Sequence, residues 1–333
     1  MSDTILITGA NGFLGKNLRL WLRERTDIEV LSFTRENSLE ELPGLIAQVN
    51  FVFHLAGINR PQDPNEFFSG NSDLTRALSS SVAQVLKDND RKIPIVFASS
   101  IQAARENPYG ESKRAAEDAL FVLSRNHKTP VSILRLPNVF GKWCKPNYNS
   151  AVATFCHNIS RGLPIRINES SAPLTLVYVD NVMSAFLSFL DNGYVPKDDN
   201  GFSKVEPEYQ TTVGEVAKLI QGFKEKRDNL MIDRVGDSLV RALYATYISY
   251  LDPADFTYAL PKHGDERGVF CEMLKTRDSG QFSFFTAHPG ATRGGHYHHS
   301  KTEKFLVIHG EACFKFRHMD TGETHKIVTS GTN

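Results

Sequence analysis

Short, continuous apolar runs recur through roughly the first 190 residues and alternate with stretches whose apolar positions repeat at three and four residues. ILITGA, EVLSFT, FVFHLAG, IPIVFASS, VSILRL and LTLVYV are the runs, and FLGKNLRLWLRE and LTRALSSSVAQVLK are amphipathic stretches between them. Runs that are apolar throughout belong to strands buried on both faces, the pattern of a parallel sheet covered by helices on each side. The order predicts a doubly wound α/β domain of the Rossmann type. From 192 to 210, NGYVPKDDNGFSKVEPEYQ is polar and rich in turn residues and reads as a loop. TTVGEVAKLIQGFKEK to LVRALYATYISYL regains helical spacing and closes this domain. The cluster of Pro, Gly and charge in LDPADFTYALPKHGDERG then marks a boundary, giving domains at 1–250 and 251–333. From Val269 onward VFCEML, GQFSFFTA, EKFLVIHG and EACFKFRH are short, Phe-rich and separated by turns, which predicts an antiparallel β module.

At 333 residues the chain is long enough for two cores. Lys+Arg and Asp+Glu both number 38, so neither half carries the basic stripe that nucleic-acid binding requires. No run of about 18 apolar residues is present to span a bilayer. The N-terminus enters a strand pattern directly, without a basic segment followed by an apolar one, which gives a cytoplasmic expectation. Cys144, Cys156, Cys271 and Cys313 are widely spaced and form no CxxC, which suits reduced, partly buried thiols.

The strand ILIT leads into Gly9, Gly12 and Gly15, a GxxGxxG spacing that opens the helix KNLRLWLRE. Glycines there permit a tight turn and a close backbone approach, so that a pyrophosphate can rest on the helix N-terminus. At the end of the second strand stand Thr34 and Arg35 in place of an acidic ribose ligand. An Arg there meets a 2′-phosphate, so NADPH is the expected cofactor, with Glu36 close by. Tyr109 and Lys113, at i and i+4, share a helix face. Tyr258/Lys262 and Tyr297/Lys301 repeat the spacing, but only Tyr109/Lys113 follows a strand end, after Ser99 and Ser100 of IPIVFASS. An ammonium beside a phenol lowers the Tyr pKa, so that Tyr109 donates a proton to a carbonyl oxygen held by Ser100 as hydride reaches the carbon.

TGANGFLG, HLAG, FASS and YGESK together resemble the extended short-chain dehydrogenase/reductases that act on nucleotide sugars, over about residues 1 to 250. The resemblance implies Tyr109 as acid/base, Lys113 on the ribose and Ser100 on the substrate oxygen, with Ser99 a poorer candidate. It implies cofactor contacts from Asn11, Phe13 and Leu14 beside the glycines, and from Leu55, Ala56 and Gly57. Dehydratases of the group carry Asp-Glu after the Ser/Thr, where Ile101-Gln102 stand here, so dehydration is disfavoured and net reduction favoured over epimerisation at C4. Pro137-Asn138-Val139-Phe140-Gly141 is similar to the group's RxxNxxG segment, which implies Asn138 as a sugar-nucleotide contact. Arg166 is a candidate for the diphosphate, and KWCKPNYNSAVATFC for a lid over a UDP-sugar or an ordinary surface loop.

His296, His298 and Glu303, framed by Gly290 and Gly310, look like the first metal motif of the cupin family. On a strand the two His would face one side and Glu303 would return from the next strand to complete a zinc-binding set. The second cupin motif, PxG followed by a His, is absent before Asn333, so the expected cupin is an all-β domain shortened at its C-terminus, with an incomplete site and an open edge. The module order, with GKWCKPNYNS, FTYAL, DERG and GHYHHSKTEKFLVIHG, resembles the CapF family of bifunctional capsular polysaccharide enzymes nearly end to end. That resemblance implies synthesis of UDP-2-acetamido-2,6-dideoxy-L-talose by metal-assisted C3 epimerisation in the cupin and NADPH-dependent C4 reduction, in a homodimer. Two other readings are a reductase whose cupin serves structure or dimerisation, and a non-enzymatic NADP sensor, which the intact Tyr109/Lys113 pair disfavours.

Overall fold

The computed structural model describes residues 3–88, 91–193, 197–236 and 238–332. Five parallel strands, β1 (Asp3–Thr8), β2 (Ile28–Phe33), β3 (Phe51–His54), β4 (Ile95–Ser100) and β5 (Val131–Leu136), form a sheet in the order β2-β1-β3-β4-β5. Side chains alternate between its faces, and both faces are buried. Ile5, Ile7, Phe51, Phe53, Val96 and Ala98 join one core cluster, while Leu6, Val52, Ile95 and Phe97 join the other. Strand residues apolar at every position are the direct consequence. Helices α1 (Phe13–Leu22), α2 (Leu42–Gln48), α3 (Leu74–Asp88) and α4 (Pro108–His127) connect the strands. α1 supplies Leu18 and Leu22 to the first cluster; α2, α3 and α4 supply Leu42, Ile46, Leu78, Val82, Ala116 and Leu120 to the second. Asn107 starts α4 by accepting the Gly110 amide, with Pro108 in the first turn.

A second sheet departs from the expected single parallel one. β6 (Asn138–Phe140) pairs parallel with β7 (Pro173–Tyr178), and β7 pairs antiparallel with β8 (Glu208–Thr212). The run LTLVYV therefore lies in this smaller sheet. Strand β8 begins inside the stretch read as a loop, where only Tyr209 of the five residues is buried, too little alternation to stand out beside Pro207 and three nearby charges. Tyr194, Val195 and Pro196 of that stretch lie outside the described residues. Helices α5 (Ala151–Ser160), α6 (Val179–Asn192), α7 (Val213–Asp228) and α8 (Ser238–Ile248) complete this part of the chain.

The chain divides into two compact units, Met1–Lys262 with Cys271–Phe284, and His263–Phe270 with Phe285–Asn333. Strands β9 (Lys262–Asp265), β10 (Gly268–Lys275) and β11 (Gln281–Phe285) form a sheet in the order β11-β10-β9, and β12 (Glu311–Arg317) pairs antiparallel with β13 (Thr324–Ser330). The C-terminal region is thus a β module, as its texture implies. Residues 286–310 hold no strand, so the expected strands through GHYHH and EKFLVIHG are absent. Backbone N–H and C=O groups of a strand need a hydrogen-bonded neighbour. β12 and β13 pair only with each other among the described residues, and Phe305, Leu306 and Ile308 are exposed. All four cysteines are free thiols, with Cys156 and Cys271 buried and Cys313 exposed. Among the described residues no helix is long and apolar enough to cross a membrane.

Candidate active site

The parallel sheet brings the C-terminal ends of β1, β3 and β4 to one edge, the place where open α/β sheets receive ligands. At the end of β1 the chain turns through Gly9, whose φ is +70°. A Cβ on Gly9 would stand 2.7 Å from the Ala56 amide nitrogen and 2.9 Å from the Leu55 carbonyl carbon. Gly15 is equally closed, against the backbone of Gly9 and Ala10. Gly12 occupies the N-cap of α1 and provides no side-chain cap, and the first turn carries no acidic residue. The turn therefore leaves backbone amides and a positive helix end open to an anion. Asn11 accepts from Arg19 at 3.2 Å, and Phe13 and Leu14 pack against the core. Arg35 is exposed just beyond β2, where Thr34 is tied to Asn37 Oδ1 at 2.8 Å.

His54, at the end of β3, sits inside this turn. One ring nitrogen lies 2.7 Å from Thr8 Oγ1 and the other 2.8 Å from Thr75 Oγ1, while Thr8 also accepts the Ala56 amide at 3.2 Å. Burial, reinforced by the Lys113 charge, pulls the His54 pKa down to about 3, so the ring is a neutral strut that sets where Leu55, Ala56 and Gly57 run.

Tyr109 and Lys113 lie on α4, and Ser100 ends β4. Burial raises the Tyr109 phenol's pKa above its ordinary value, against the smaller opposing pull of Ser100. Lys113 is 4% exposed; its ammonium donates to the Ala98 carbonyl at 3.1 Å and lies 4.9 Å from the Phe97 ring centre. Burial lowers its pKa to about 8, against the opposing pull of Glu117. The expectation that Lys113 depresses the Tyr109 pKa is therefore not met. The ammonium points at the strand carbonyl and at Gly57, where an added Cβ would sit 3.0 Å from Nζ. A phenol that stays protonated is a proton donor at neutral pH.

Three polar groups at this edge were not singled out from sequence. Asn71 donates to Ser112 Oγ at 2.9 Å and to the Ile58 carbonyl at 3.0 Å, fixing the strip beside Gly57. Glu117 accepts from Ser99 and from Arg135, the Arg of the RxxNxxG segment. Ser99 is thus turned away from the substrate position and toward Glu117. The four-residue step from Lys113 to Glu117 was legible as a shared helix face; nothing in the sequence marks Asn71.

Asn138 is exposed at the start of β6 and donates its side-chain amide to the Thr175 carbonyl at 3.1 Å. Arg166 is exposed and lines a cleft of about 630 Å³ together with Arg60, Asn147, Asn149, Asn168 and Glu169. Two arginines on one cleft suit a diphosphate, and Arg60, three residues past HLAG, was missed. The segment 142–150 is anchored by Lys142 to Asp180 at 3.0 Å and by the Tyr250 hydroxyl to the Cys144 carbonyl.

His296, His298 and Glu303 lie near one another in the C-terminal unit without forming a zinc set. The two imidazole rings stand 4.8 Å apart edge to face, and His298 Nε2 lies 3.7 Å from Glu303 Oε2. The other carboxylate oxygen of Glu303 is 2.6 Å from the Lys301 ammonium, which lowers the Glu303 pKa and competes for its charge. Among the described residues no group of three or more His, Cys, Asp or Glu side chains is placed to hold a metal ion. The residues present do not fit zinc.

Known proteins share this fold and its module order. Residues 5–200 match the profile of the NAD dependent epimerase/dehydratase family, and residues 263–333 match the polysaccharide biosynthesis C-terminal domain. The chain is 58% identical over 98% of its length to a UDP-2-acetamido-2,6-beta-L-arabino-hexul-4-ose reductase of Pseudomonas aeruginosa, covering 86% of that protein. It resembles the crystal structure of the capsular polysaccharide assembling protein CapF of Staphylococcus aureus with a TM-score of 0.88 and 40% identity, over 99% of this chain and 88% of that one. A UDP-glucose 4-epimerase of Thermotoga maritima shares the fold at a TM-score of 0.60 and 21% identity, over 74% of this chain and 98% of that one. The chain is therefore an NAD(P)-dependent oxidoreductase that belongs to the NAD dependent epimerase/dehydratase family, in its CapF-like branch.

Proposed function

We propose that this enzyme reduces the 4-ketone of a UDP-2-acetamido-2,6-dideoxy-hexose with NADPH, giving UDP-2-acetamido-2,6-dideoxy-L-talose as a precursor of a surface polysaccharide. The observation that carries the reading is the position of Tyr109 on α4 and Ser100 at the end of β4, at the sheet edge beside the glycine turn. The name of the 58%-identical relative supplies the substrate class.

The glycine turn fits a dinucleotide because Gly9 and Gly15 leave no room for side chains and the first amides of α1 are uncapped. Gly9 to Gly15, with Asn11, Phe13 and Leu14, would hold the pyrophosphate; Leu55 to Gly57 would line the cofactor, Arg35 would meet a 2′-phosphate, and Lys113 the nicotinamide ribose. When bound, the reduced nicotinamide supplies hydride to the carbonyl carbon. Ser100 and Tyr109 hold the carbonyl oxygen by hydrogen bonds, and Tyr109 delivers the proton there as negative charge develops. Lys113, an ammonium below about pH 8, keeps a positive charge at this edge for the ribose hydroxyls. Arg60 and Arg166 would take the UDP diphosphate, with Asn138 near the sugar. NADPH and UDP-sugars meet in the cytoplasm, and a homodimer is the expected assembly, checked by light scattering.

A second activity, C3 epimerisation of the 4-keto sugar, belongs to the C-terminal module on this reading. It is favoured by the match to the polysaccharide biosynthesis C-terminal domain. Solvent deuterium incorporation at C3 tests it; its absence leaves a reductase with a structural or dimerising module. The reductase itself is tested by following NADPH loss with the arabino 4-keto sugar and, in parallel, with its unepimerised xylo precursor. Consumption of the arabino sugar is the expected result, and consumption of neither overturns the assignment.

A further inference from the structure

Glu117 is 1% exposed, and a carboxylate so buried persists only where its charge is met. Arg135 donates to it twice, Nε to Oε1 at 3.0 Å and Nη2 to Oε2 at 2.6 Å, and the Ser99 hydroxyl donates to Oε1 at 2.5 Å. Ser99 and Arg135 are register partners across β4 and β5, and Ser99 immediately precedes Ser100. The guanidinium is held on its other side by the Phe202 ring, 3.7 Å away. Buried pairs of this kind are often no more stabilising than apolar side chains of the same shape. Stability alone is thus a weak reason for this one, and its place beside Ser100 and Lys113 offers another.

We propose that Glu117 is a positioning residue for the reduction: it ties α4 to the ends of β4 and β5 so that Tyr109 stands at Ser100, and it supplies the negative charge that Lys113 faces. The proposal rests on the reductase reading above. Tyr109, Lys113 and Glu117 follow at four-residue steps along one face of α4. The titratable groups around Lys113 are Tyr109 and Glu117 on its own helix, the neutral His54 on β3, and Arg135 on β5, which engages Glu117 and is itself faced by Asp118 and Asp198. Burial favours the neutral amine of Lys113, and the Glu117 charge opposes that. Loss of the charge lets the ammonium deprotonate at lower pH, and loss of Arg135 acts the same way, because the buried carboxyl then takes up a proton.

The test uses the full chain and three variants. Glu117→Gln keeps the shape and removes the charge; the falling limb of NADPH affinity and of kcat/KM with pH moves down by about one pH unit. Arg135→Gln moves that limb down as well. Ser99→Ala keeps both charges and lowers kcat about tenfold, the worth of a hydrogen bond to a charged group, with the limb unmoved. Titration of the Lys113 Cε resonance by NMR in cofactor-free protein reads the same downward shifts without turnover. Inactivity of the wild type toward the keto sugar would therefore defeat the reductase reading while the Lys113 titration still judged this one. A limb and a resonance that titrate at the wild-type pH in both charge variants, with only the melting temperature lowered, overturn the proposal. Where Glu117→Gln does not fold, Arg135→Gln decides alone.

Discussion

Gly9→Ala is the sharpest test of the dinucleotide turn. Gly9 has a φ of +70°, a conformation that costs an alanine about 1–2 kcal/mol. Its new methyl would stand 2.7, 2.8 and 2.9 Å from Ala56 N, Ala56 Cα and the Leu55 carbonyl carbon, all backbone atoms that cannot rotate away. Forcing a methyl into such a space costs about 1–3 kcal/mol more. A total near 3 kcal/mol corresponds to a fall of about 6–12 °C in melting temperature for a unit of this size. The same displacement moves the strip Leu55 to Gly57 and the first turn of α1, so the NADPH dissociation constant rises at least about tenfold, or ~1.4 kcal/mol. Gly44→Ala is the control: Gly44 is exposed in α2, nothing lies within 4 Å of its would-be Cβ, and alanine there is neutral or stabilising by up to about 1 kcal/mol. Melting followed by circular dichroism and NADPH fluorescence titration read both variants. A Gly9→Ala protein with wild-type melting temperature and wild-type NADPH affinity would show that this turn does not hold the dinucleotide.

Tyr109→Phe removes the proton donor and lowers kcat by about 10²–10⁴-fold while NADPH affinity stays unchanged; steady-state turnover with an independent binding titration separates the two. Arg35→Ala lowers the preference for NADPH over NADH by about 10–100-fold, the worth of charge-assisted hydrogen bonds to a phosphate, measured as the ratio of kcat/KM values. Because the Lys113 pKa is pulled down to about 8 and the charged form is the active one, activity is present below that pH and lost as pH rises through it. A flat profile between about pH 7 and 10 contradicts this.

The glycine turn and the Tyr109/Lys113 helix were legible because each joins a local spacing to a strand end, and both signals lie within a few residues of one another. The parallel sheet was legible for the same reason: strands β1, β3 and β4 are apolar on consecutive residues, which only two-sided burial explains. The second sheet was not, because β7 looks like any buried strand and its antiparallel partner β8 buries a single tyrosine. The direction of the Tyr109 pKa was misjudged since spacing says that Lys113 shares a face with Tyr109 but not where the ammonium points; the Ala98 carbonyl decides that. His296, His298 and Glu303 have the sequence spacing of a metal motif, yet the strands that would aim them are absent from 286–310, and Lys301 takes one oxygen of the carboxylate. Glu117 and Arg135 show the reverse case, two charged residues 18 positions apart whose contact depends on β4, β5 and α4 all being in place.

Reduction at C4 by the domain that carries Tyr109 can be followed atom by atom. The most direct measurement uses NADPH deuterated at the transferring position with the UDP-linked arabino 4-keto sugar, and locates the deuterium in the product by NMR. One deuterium on C4 of the talo product in the wild type, and its near-total loss in Tyr109→Phe, is the predicted result. Deuterium at any other carbon, or equal transfer by the two proteins, would contradict it.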